Sequence, residues 1–244
     1  MSDRSNGAMP QFRVLGLVPA RAGSKGIPGK TLRLLGAKPL LQYTAEAALA
    51  CQQLSRTVLS TEDEQIATLG RRCGLDVPFL RPAHLAHDDT PMLPVVQHAL
   101  RCLAKMGDDY DAVCLLQPTS PLRSTEDIDG CIGLLLSSGA DAVVTTLPVP
   151  PEHNPHWVYL TDETGLLRLS TGAGTPIPCR QQLPAAVHRE GSVYVTRTRV
   201  VLGQDSLYGE RLVGYPMAPE RSVNIDDPED WVRAEQMMLH LGVI

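Results

Sequence analysis

The alternation of strand-like and helix-like segments constrains the fold of this 244-residue chain more than any other feature. Short apolar runs are followed by longer segments with apolar residues at helical spacing, and this order repeats from residue 12 to residue 146. Such alternation predicts an α/β fold, with a mostly parallel sheet covered by helices on both faces. We predict strands at residues 12–18, 57–60, 77–80, 112–116, 142–146 and 192–196, and helices at residues 40–50, 64–73, 93–105, 125–137 and from Asp227 onward.

Composition and charge exclude several classes of protein. The net charge of −5 argues against a nucleic-acid scaffold, and the 43% hydrophobic content suits a packed globule. No run of about 18 apolar residues is present, and the polar first ten residues lack a signal-peptide core, so we expect a cytoplasmic protein that does not bind membranes. The six cysteines show no Cys-x-x-Cys spacing and mostly lie in apolar surroundings, which favours buried thiols over zinc ligands or disulfides.

The alternating pattern breaks between residues 148 and 189. This segment is rich in proline and is too long for an ordinary connection within a compact domain. We therefore predict a core made of residues 12–147 and 190–244, a separate segment at residues 148–189, and a flexible tail at residues 1–11. The residues alone leave open whether the separate segment is a loose insertion or an ordered arm.

The loop that follows the first predicted strand, residues 20–30, is suited to binding phosphate, and we call it the phosphate loop. Glycines let backbone N–H groups approach phosphate oxygens, cations supply the opposite charge, and ligands sit at the carboxyl ends of parallel strands. A P-loop ATPase motif would need glycine at position 24, where Ser24 stands, and Pro28 removes a backbone donor. The loop contains Gly23, Gly26 and Gly29 together with Arg21, Lys25 and Lys30.

Together with this loop, four further motifs resemble the acylneuraminate cytidylyltransferase family. They are Ser-Thr-Glu-Asp at 60–63, Arg-Pro-Ala at 81–83, Gln-Pro-Thr-Ser-Pro-Leu-Arg at 117–123 and Asn-Ile-Asp at 224–226. The resemblance runs in order over residues 14–239. It implies a Rossmann-like nucleotidyltransferase fold and a Mg²⁺-dependent transfer of CMP from CTP to the anomeric hydroxyl of a sialic-acid-like 2-keto acid sugar, with release of pyrophosphate. It also implies a homodimer in which residues 148–189 form a dimerisation arm that reaches the partner's site.

The resemblance implies roles for the matching residues. The expected catalytic residues are Arg21, Lys25, Lys30 and Asp226, and the expected metal ligands are Asp226 and Asn224. Contacts to the nucleotide are expected from Ala20, Arg21, Gly23, Ser24, Lys25, Gly26, Lys30, Asp63, Arg81 and Thr90. Contacts to the acidic sugar are expected from Gln117, Thr119, Ser120, Arg123, Arg180, Gln181, Arg189 and Tyr194.

Several departures from the family pattern leave alternatives open. Asn224 stands where several relatives have aspartate, so the second metal ligand carries no charge, and Asp227 is either a substitute ligand or a helix cap. Asp63 either faces the nucleotide or begins a helix. Glu190 replaces an asparagine and Met92 a serine, which keeps other acceptors open: legionaminic or pseudaminic acid, another ulosonic acid, or a phosphonate. A nucleotide-binding protein without catalytic activity is the remaining alternative.

Overall fold

The computed structural model describes residues 11–23 and 25–244. Most of the predicted tail, together with Ser24, therefore lies outside the described residues. The strands, in chain order, are β1 (Val14–Pro19), β2 (Leu34–Leu35), β3 (Lys38–Pro39), β4 (Arg56–Ser60), β5 (Ala112–Leu115), β6 (Ala142–Pro148), β7 (Tyr159–Thr161), β8 (Leu167–Leu169), β9 (Val187–Arg197) and β10 (Leu212–Pro216). The α-helices are α1 (Leu40–Ala50), α2 (Glu64–Arg72), α3 (Met92–Lys105), α4 (Thr125–Ser138), α5 (Thr198–Gly203) and α6 (Pro228–His240).

The central sheet has six strands in the order β10-β6-β9-β5-β1-β4. β1 pairs in parallel with β4 and β5, and β6 pairs in parallel with β10. Only β9 runs in the opposite direction, between β5 and β6. The prediction of a mostly parallel α/β sheet is confirmed. The parallel strands bring the ends of β1, β4 and β5, and the loops that follow them, to one edge of the sheet.

Helices cover both faces, as predicted, and β1 shows why. Successive side chains of a strand point to opposite faces. Val14 and Val18 pack in the cluster that contains buried residues of α1, α2 and α4, whereas Leu15 and Leu17 pack in the cluster that contains those of α3 and α5. A strand buried on both faces requires the nearly continuous apolar run that the sequence shows there.

A third apolar cluster joins the phosphate loop to the C-terminal helix. Ile27 of the loop packs with Ile225 and with Trp231 of α6, and all three are buried. α6 begins at Asp227, whose side chain accepts hydrogen bonds from the backbone N–H groups of Glu229 and Asp230 in a capping box. Asp227 is therefore a helix cap, which was one of its two predicted roles.

One predicted strand is absent from the structure, and two others are longer than predicted. Residues 77–80 form no strand, and a single bridge between Val58 and Asp76 is the remnant of the pairing. Pro78 lacks a backbone N–H and interrupts the ladder at that point. β6 and β9 are longer than predicted and stay paired as far as Pro148 and Val187, so the separate segment leaves the sheet only at residues 149–186.

The separate segment has a small sheet of its own, in which β7 and β8 form an antiparallel pair. Within the described part of the chain, none of its residues belongs to the three core clusters. Several of its apolar side chains are exposed: Tyr159, Leu160, Leu166 and Leu167. Across residues 11–23 and 25–244, no helix combines the length and the apolar character needed to cross a bilayer.

Candidate active site

A cavity of about 280 Å³ lies at the carboxyl ends of β1 and β5. Its wall is built from the phosphate loop, the 81–95 segment, the 117–119 turn and Asp226. This is the edge of an α/β sheet at which ligands bind. Nine of the predicted site residues line the cavity: Ala20, Arg21, Gly23, Lys30, Arg81, Thr90, Gln117, Thr119 and Asp226.

Lys30 connects the phosphate loop directly to the Asp226 segment. Its Nζ donates a hydrogen bond to the carbonyl oxygen of Ile225 at 2.6 Å and lies 3.6 Å from Oδ1 of Asp226. The Lys30 side chain is only 13% exposed, and this burial lowers its pKa, although the nearby Asp226 carboxylate acts in the opposite direction. A partly desolvated ammonium interacts more strongly with a phosphate than one in bulk water does.

Gly26 brings the phosphate loop into contact with the backbone of the Asp226 segment. A Cβ atom at this position would lie 2.0 Å from the carbonyl oxygen of Asp226. Only glycine permits so close an approach. The predicted convergence of the cationic loop and the Asp226 segment is therefore present in the fold, where Gly26 lies against the backbone of Asp226.

Arg21 and Lys25 share one carboxylate, which belongs to Asp88. Arg21 Nη2 lies 2.9 Å from Asp88 Oδ1, and Lys25 Nζ lies 3.2 Å from Asp88 Oδ2. Lys25 is highly exposed, with 83% of its side chain accessible, and it stands at the mouth of the cavity rather than in its wall. The two cations are placed where a triphosphate could engage both.

Arg81 is buried and supports the phosphate loop through hydrogen bonds. Its Nη2 donates to the carbonyl oxygen of Ala20 at 3.1 Å and to Glu62 Oε2 at 2.7 Å, while Glu62 Oε1 accepts from the backbone N–H of Ala22 at 2.8 Å. Glu62 thus links Arg81 to the loop. Arg81 Nε is buried and has no hydrogen-bond partner among the described residues, so it remains a donor next to the cavity.

Asp63 has the other of its two predicted roles. Its Oδ1 accepts from the backbone N–H groups of Gln65 and Ile66, both at 2.8 Å, and caps α2. It lies outside the main cavity, in the wall of a neighbouring cavity of about 180 Å³. The expectation that Asp63 contacts the nucleotide gains no support from this placement, because the carboxylate is engaged by the helix.

Asp226 is the exposed carboxylate at the cavity, and Asn224 lies beside it. Asp226 is 69% exposed, and its Oδ2 accepts a hydrogen bond from Asn224 Nδ2. The segment is extended chain beyond β10, and Ile225 N donates to Thr119 O at 2.8 Å. Within the described residues, no group of three or more His, Cys, Asp or Glu side chains is arranged to hold a metal ion.

The 117–123 turn divides into a part that lines the cavity and a part that braces it. Gln117 and Thr119 line the cavity, and Thr119 Oγ1 is buried without a partner in the described part of the chain. Ser120 is buried and lies outside the wall. Of these three residues, which were expected to contact the sugar, only Gln117 and Thr119 therefore line the cavity.

Arg123, which was expected to contact the sugar, does not line the cavity. Its side chain is buried, and its guanidinium donates to Ser192 O at 2.6 Å, to Gln117 O at 3.2 Å and to Thr44 Oγ1 at 2.8 Å. Burial lowers its pKa to about 10, so it remains a cation at neutral pH. Arg123 fixes the 117 turn to β9 and to α1.

On β9, Arg189 lies against two tyrosine rings. Arg189 pairs with Thr146 of β6, near the carboxyl end of that strand, and its guanidinium carbon lies 5.9 Å from the ring centre of Tyr194 and 5.8 Å from that of Tyr208. Arg189 also donates to the Tyr208 hydroxyl. Burial raises the pKa of Tyr194. Arg180 and Gln181 are exposed in a 3₁₀ turn of the separate segment and do not line the cavity.

Glu190 is occupied by protein donors. Its Oε2 accepts from Ser192 N at 2.8 Å, and its Oε1 accepts from Ser192 Oγ at 2.6 Å and from Ser222 Oγ at 3.0 Å. The carboxylate therefore ties β9 to the segment that leads to Asp226. Glu190, whose presence kept other acceptors open in the sequence analysis, thus has a structural role.

Sequence reasoning missed three residues of this region. Glu62 could have been found, because an aspartate directly before a helix is a favoured cap, which assigns Asp63 to α2 and leaves Glu62 for the loop. The contacts of Asp88 and Tyr208 depend on how distant loops fold against Arg21 and Arg189, and no local pattern in the sequence indicates them.

Comparison with known proteins supports the resemblance seen in the motifs. A sequence model of the family described as Cytidylyltransferase matches residues 15–165. A CMP-N,N'-diacetyllegionaminic acid synthase from Legionella pneumophila is 34% identical over 234 residues, which cover 93% of this chain and 97% of that protein. An N-acylneuraminate cytidylyltransferase from Escherichia coli is 28% identical over 221 residues, which are 90% of this chain but only 50% of the longer relative.

Among solved structures, CMP:2-keto-3-deoxy-manno-octonic acid synthetase in complex with CTP has the same fold. The TM-score is 0.69 at 14% sequence identity, and the match covers 94% of this chain and 99% of that one. The predicted Rossmann-like nucleotidyltransferase fold is thereby confirmed, and so is the suspected family. The family model matches a long part of the chain, and a relative of nearly equal length is 34% identical to it. The chain therefore belongs to the cytidylyltransferase family.

Proposed function

We propose that this chain transfers CMP from CTP to the anomeric hydroxyl of a sialic-acid-like 2-keto acid sugar and releases pyrophosphate. The observation that carries the proposal is the meeting of the phosphate loop and Asp226 at one cavity, with Lys30 bonded to Ile225 O and 3.6 Å from Asp226. The names of the relatives with similar sequences support the choice of nucleotide and of acceptor class.

The cations of the site match the charge that develops in this reaction. Attack on the α-phosphorus moves negative charge onto the departing pyrophosphate, and stabilising that charge is the main task of a phosphoryl-transfer site. Lys30 and Arg21 line the cavity, and Lys25 stands at its mouth. The three residues would hold the triphosphate from two sides and keep its α-phosphorus in line with the acceptor hydroxyl.

The donor set also suits Mg²⁺ brought in by the triphosphate. Mg²⁺ is commonly bound through one or two carboxylates together with phosphate oxygens. Asp226 is an exposed carboxylate at the cavity, and the amide of Asn224 lies beside it. We propose Asp226 as the protein ligand of this ion, with Asn224 orienting its carboxylate; the bound ion would neutralise charge on the phosphates.

The acceptor would lie between the 117 turn and β9. Gln117 and Thr119 offer polar groups to its hydroxyls, and Arg189 offers a forked donor for its carboxylate. Tyr194 and Tyr208 hold the Arg189 guanidinium by their ring faces. Because the carboxylate of Glu190 is engaged by serine donors, we propose that it does not select among acceptors.

We further propose a homodimer formed through the separate segment. The exposed apolar side chains of β7 and β8 would be covered by the partner, and Arg180 and Gln181 would reach the partner's sugar site. Light scattering of the wild type and of a Leu160→Glu, Leu167→Glu double variant tests this, with a dimer and a monomer as the expected results. A wild-type monomer would contradict the proposal.

We also propose that the protein is cytoplasmic, which suits a reaction that depends on CTP.

Pyrophosphate release from CTP tests the proposed reaction. The acceptor panel contains N-acetylneuraminate, N,N'-diacetyllegionaminate, pseudaminate and a shorter ulosonic acid, each with and without Mg²⁺, with UTP and ATP as nucleotide controls. We expect release with at least one nine-carbon acid, only with CTP, and only with Mg²⁺, and we expect its loss in Asp226→Asn. Absence of release with every acceptor would favour a nucleotide-binding protein without catalytic activity.

A further inference from the structure

We propose that Asp88 is an internal competitor of the triphosphate: its carboxylate neutralises Arg21 and Lys25 in the empty site and has to leave them when phosphates arrive. This inference rests on the proposed function. It starts from the two ion pairs, in which each carboxylate oxygen of Asp88 meets a different cation, at 2.9 Å and 3.2 Å. Two oxygens that each neutralise one cation reproduce the contacts that a phosphate group would make.

The other two cations of the site do not depend on Asp88. Lys30 is bonded to Ile225 O beside Asp226, and Arg81 is bonded to Glu62 and to Ala20 O. Both are largely buried, and their partners belong to the framework of the loop. Asp88 is therefore paired with the two more exposed cations of the phosphate loop.

The ion pairs of Asp88 are of the kind that a ligand can replace. The side chains of Arg21 and Asp88 are 34% and 35% exposed, and that of Lys25 is 83% exposed. Ion pairs between exposed side chains are weak, because water competes for both charges. A triphosphate carries several negative charges and more acceptor oxygens than one carboxylate, so it displaces Asp88, whereas an anion of single charge has little advantage over it.

This arrangement makes a quantitative prediction about ligand charge. For every ligand that places phosphates on Arg21 and Lys25, the free energy of binding is reduced by the same amount, because Asp88 has to be displaced and its carboxylate repels the phosphates. For a ligand without phosphates, there is no such reduction. Removing the charge of Asp88 should therefore strengthen the binding of tripolyphosphate and of CTP by a similar factor and leave the binding of cytidine unchanged.

Calorimetric titration of the whole chain in Mg²⁺-free buffer tests the proposal. The variants are Asp88→Asn, which keeps the shape of the side chain, and Asp89→Asn, which removes the same charge one residue away. Asp89 is exposed and makes no ion pair within the described residues. The probes are inorganic tripolyphosphate, CTP and cytidine, and the thermal midpoint of each variant reports on folding.

We expect Asp88→Asn to bind tripolyphosphate and CTP about three- to tenfold more tightly than the wild type, the range given by two weak exposed pairs. Asp89→Asn should change neither by more than about twofold. Unchanged or weaker binding in Asp88→Asn would overturn the proposal, because Asp88 would then position the cations. An equal gain in affinity in Asp89→Asn would also overturn it, because the gain would then come from the change in net charge. If the wild type binds neither CTP nor tripolyphosphate, and still binds neither after Mg²⁺ is added, the proposed function itself fails.

Discussion

Replacing Gly26 by alanine tests the contact that joins the phosphate loop to Asp226. The new methyl group would lie 2.0 Å from the Asp226 carbonyl oxygen, and a Cβ atom essentially never approaches a heavy atom more closely than 3.0 Å. The two segments must therefore move apart by at least 3.0 − 2.0 = 1.0 Å. Because the clash is with backbone, no side-chain rotation relieves it.

A displacement of this size has two expected costs. Forcing an extra methyl group into a packed contact destabilises a fold by about 1–3 kcal/mol. Displacing one half of a catalytic site by about 1 Å costs about 100-fold in rate. We therefore expect Gly26→Ala to lose about 100-fold in kcat/KM for CTP, measured by pyrophosphate release, together with a lower free energy of unfolding in urea.

Gly23→Ala is the matched control for stability, because a Cβ atom there meets no heavy atom of the described residues within 4 Å. Its free energy of unfolding should stay within about 0.5 kcal/mol of the wild type. If Gly26→Ala keeps its kcat/KM within about threefold of the wild type, the loop and Asp226 do not need to be in contact during the reaction, and the argument for their joint action is refuted.

Three further substitutions test other parts of the structure. Arg123→Met leaves buried acceptors unpaired and should lower the free energy of unfolding by about 3 kcal/mol in urea titrations. The control Arg233→Met, at an exposed position, should change it by less than about 0.5 kcal/mol. Equal effects of the two substitutions would contradict the bracing role of Arg123. Glu190→Gln should cost about 1–2 kcal/mol in the same assay and leave the order of preferred acceptors unchanged, and a new order would show that Glu190 meets the sugar. Partial burial of Asp108 acts to raise its pKa, but hydrogen bonds from one tyrosine and two arginines outweigh it and lower the pKa to about 2. The ionised form is thus favoured in the folded state, so its stabilising contribution is present above about pH 4 and is lost as the pH falls towards 2. Asp108→Asn should therefore lose less stability than the wild type between pH 6 and pH 3 in urea titrations, and an equal loss would contradict the assignment.

The repeating part of the fold could be predicted because its periodicity is local. Apolar residues at helical spacing placed α1 at its observed bounds, and the apolar run of β1 indicated a strand buried on both faces. The segment at residues 77–80 failed for an equally local reason, because Pro78 removes a ladder donor from an otherwise strand-like run. The reversed direction of β9 follows from pairings between distant segments, which periodicity does not report.

The candidate site was predictable where residue type alone decides what a side chain can do. Glycines and cations in a loop after a strand indicated the phosphate loop, whereas Asp226 was identified through the family resemblance. The bracing contacts of Arg123 were not predicted, because sequence does not tell whether a cation will be buried, and here the guanidinium is enclosed by Ser192, Gln117 and Thr44. Burial is settled by tertiary packing.

The reversed strand has a consequence for how this architecture can vary. Because β9 runs against β6 and the two stay paired as far as Pro148 and Val187, both ends of the 149–186 excursion are fastened at neighbouring points. Its residues contribute nothing to the three apolar clusters in the described part of the chain. Lengthening, shortening or exchanging the excursion would therefore leave the strand order of the central sheet intact, so this part of the chain can change without rebuilding the rest.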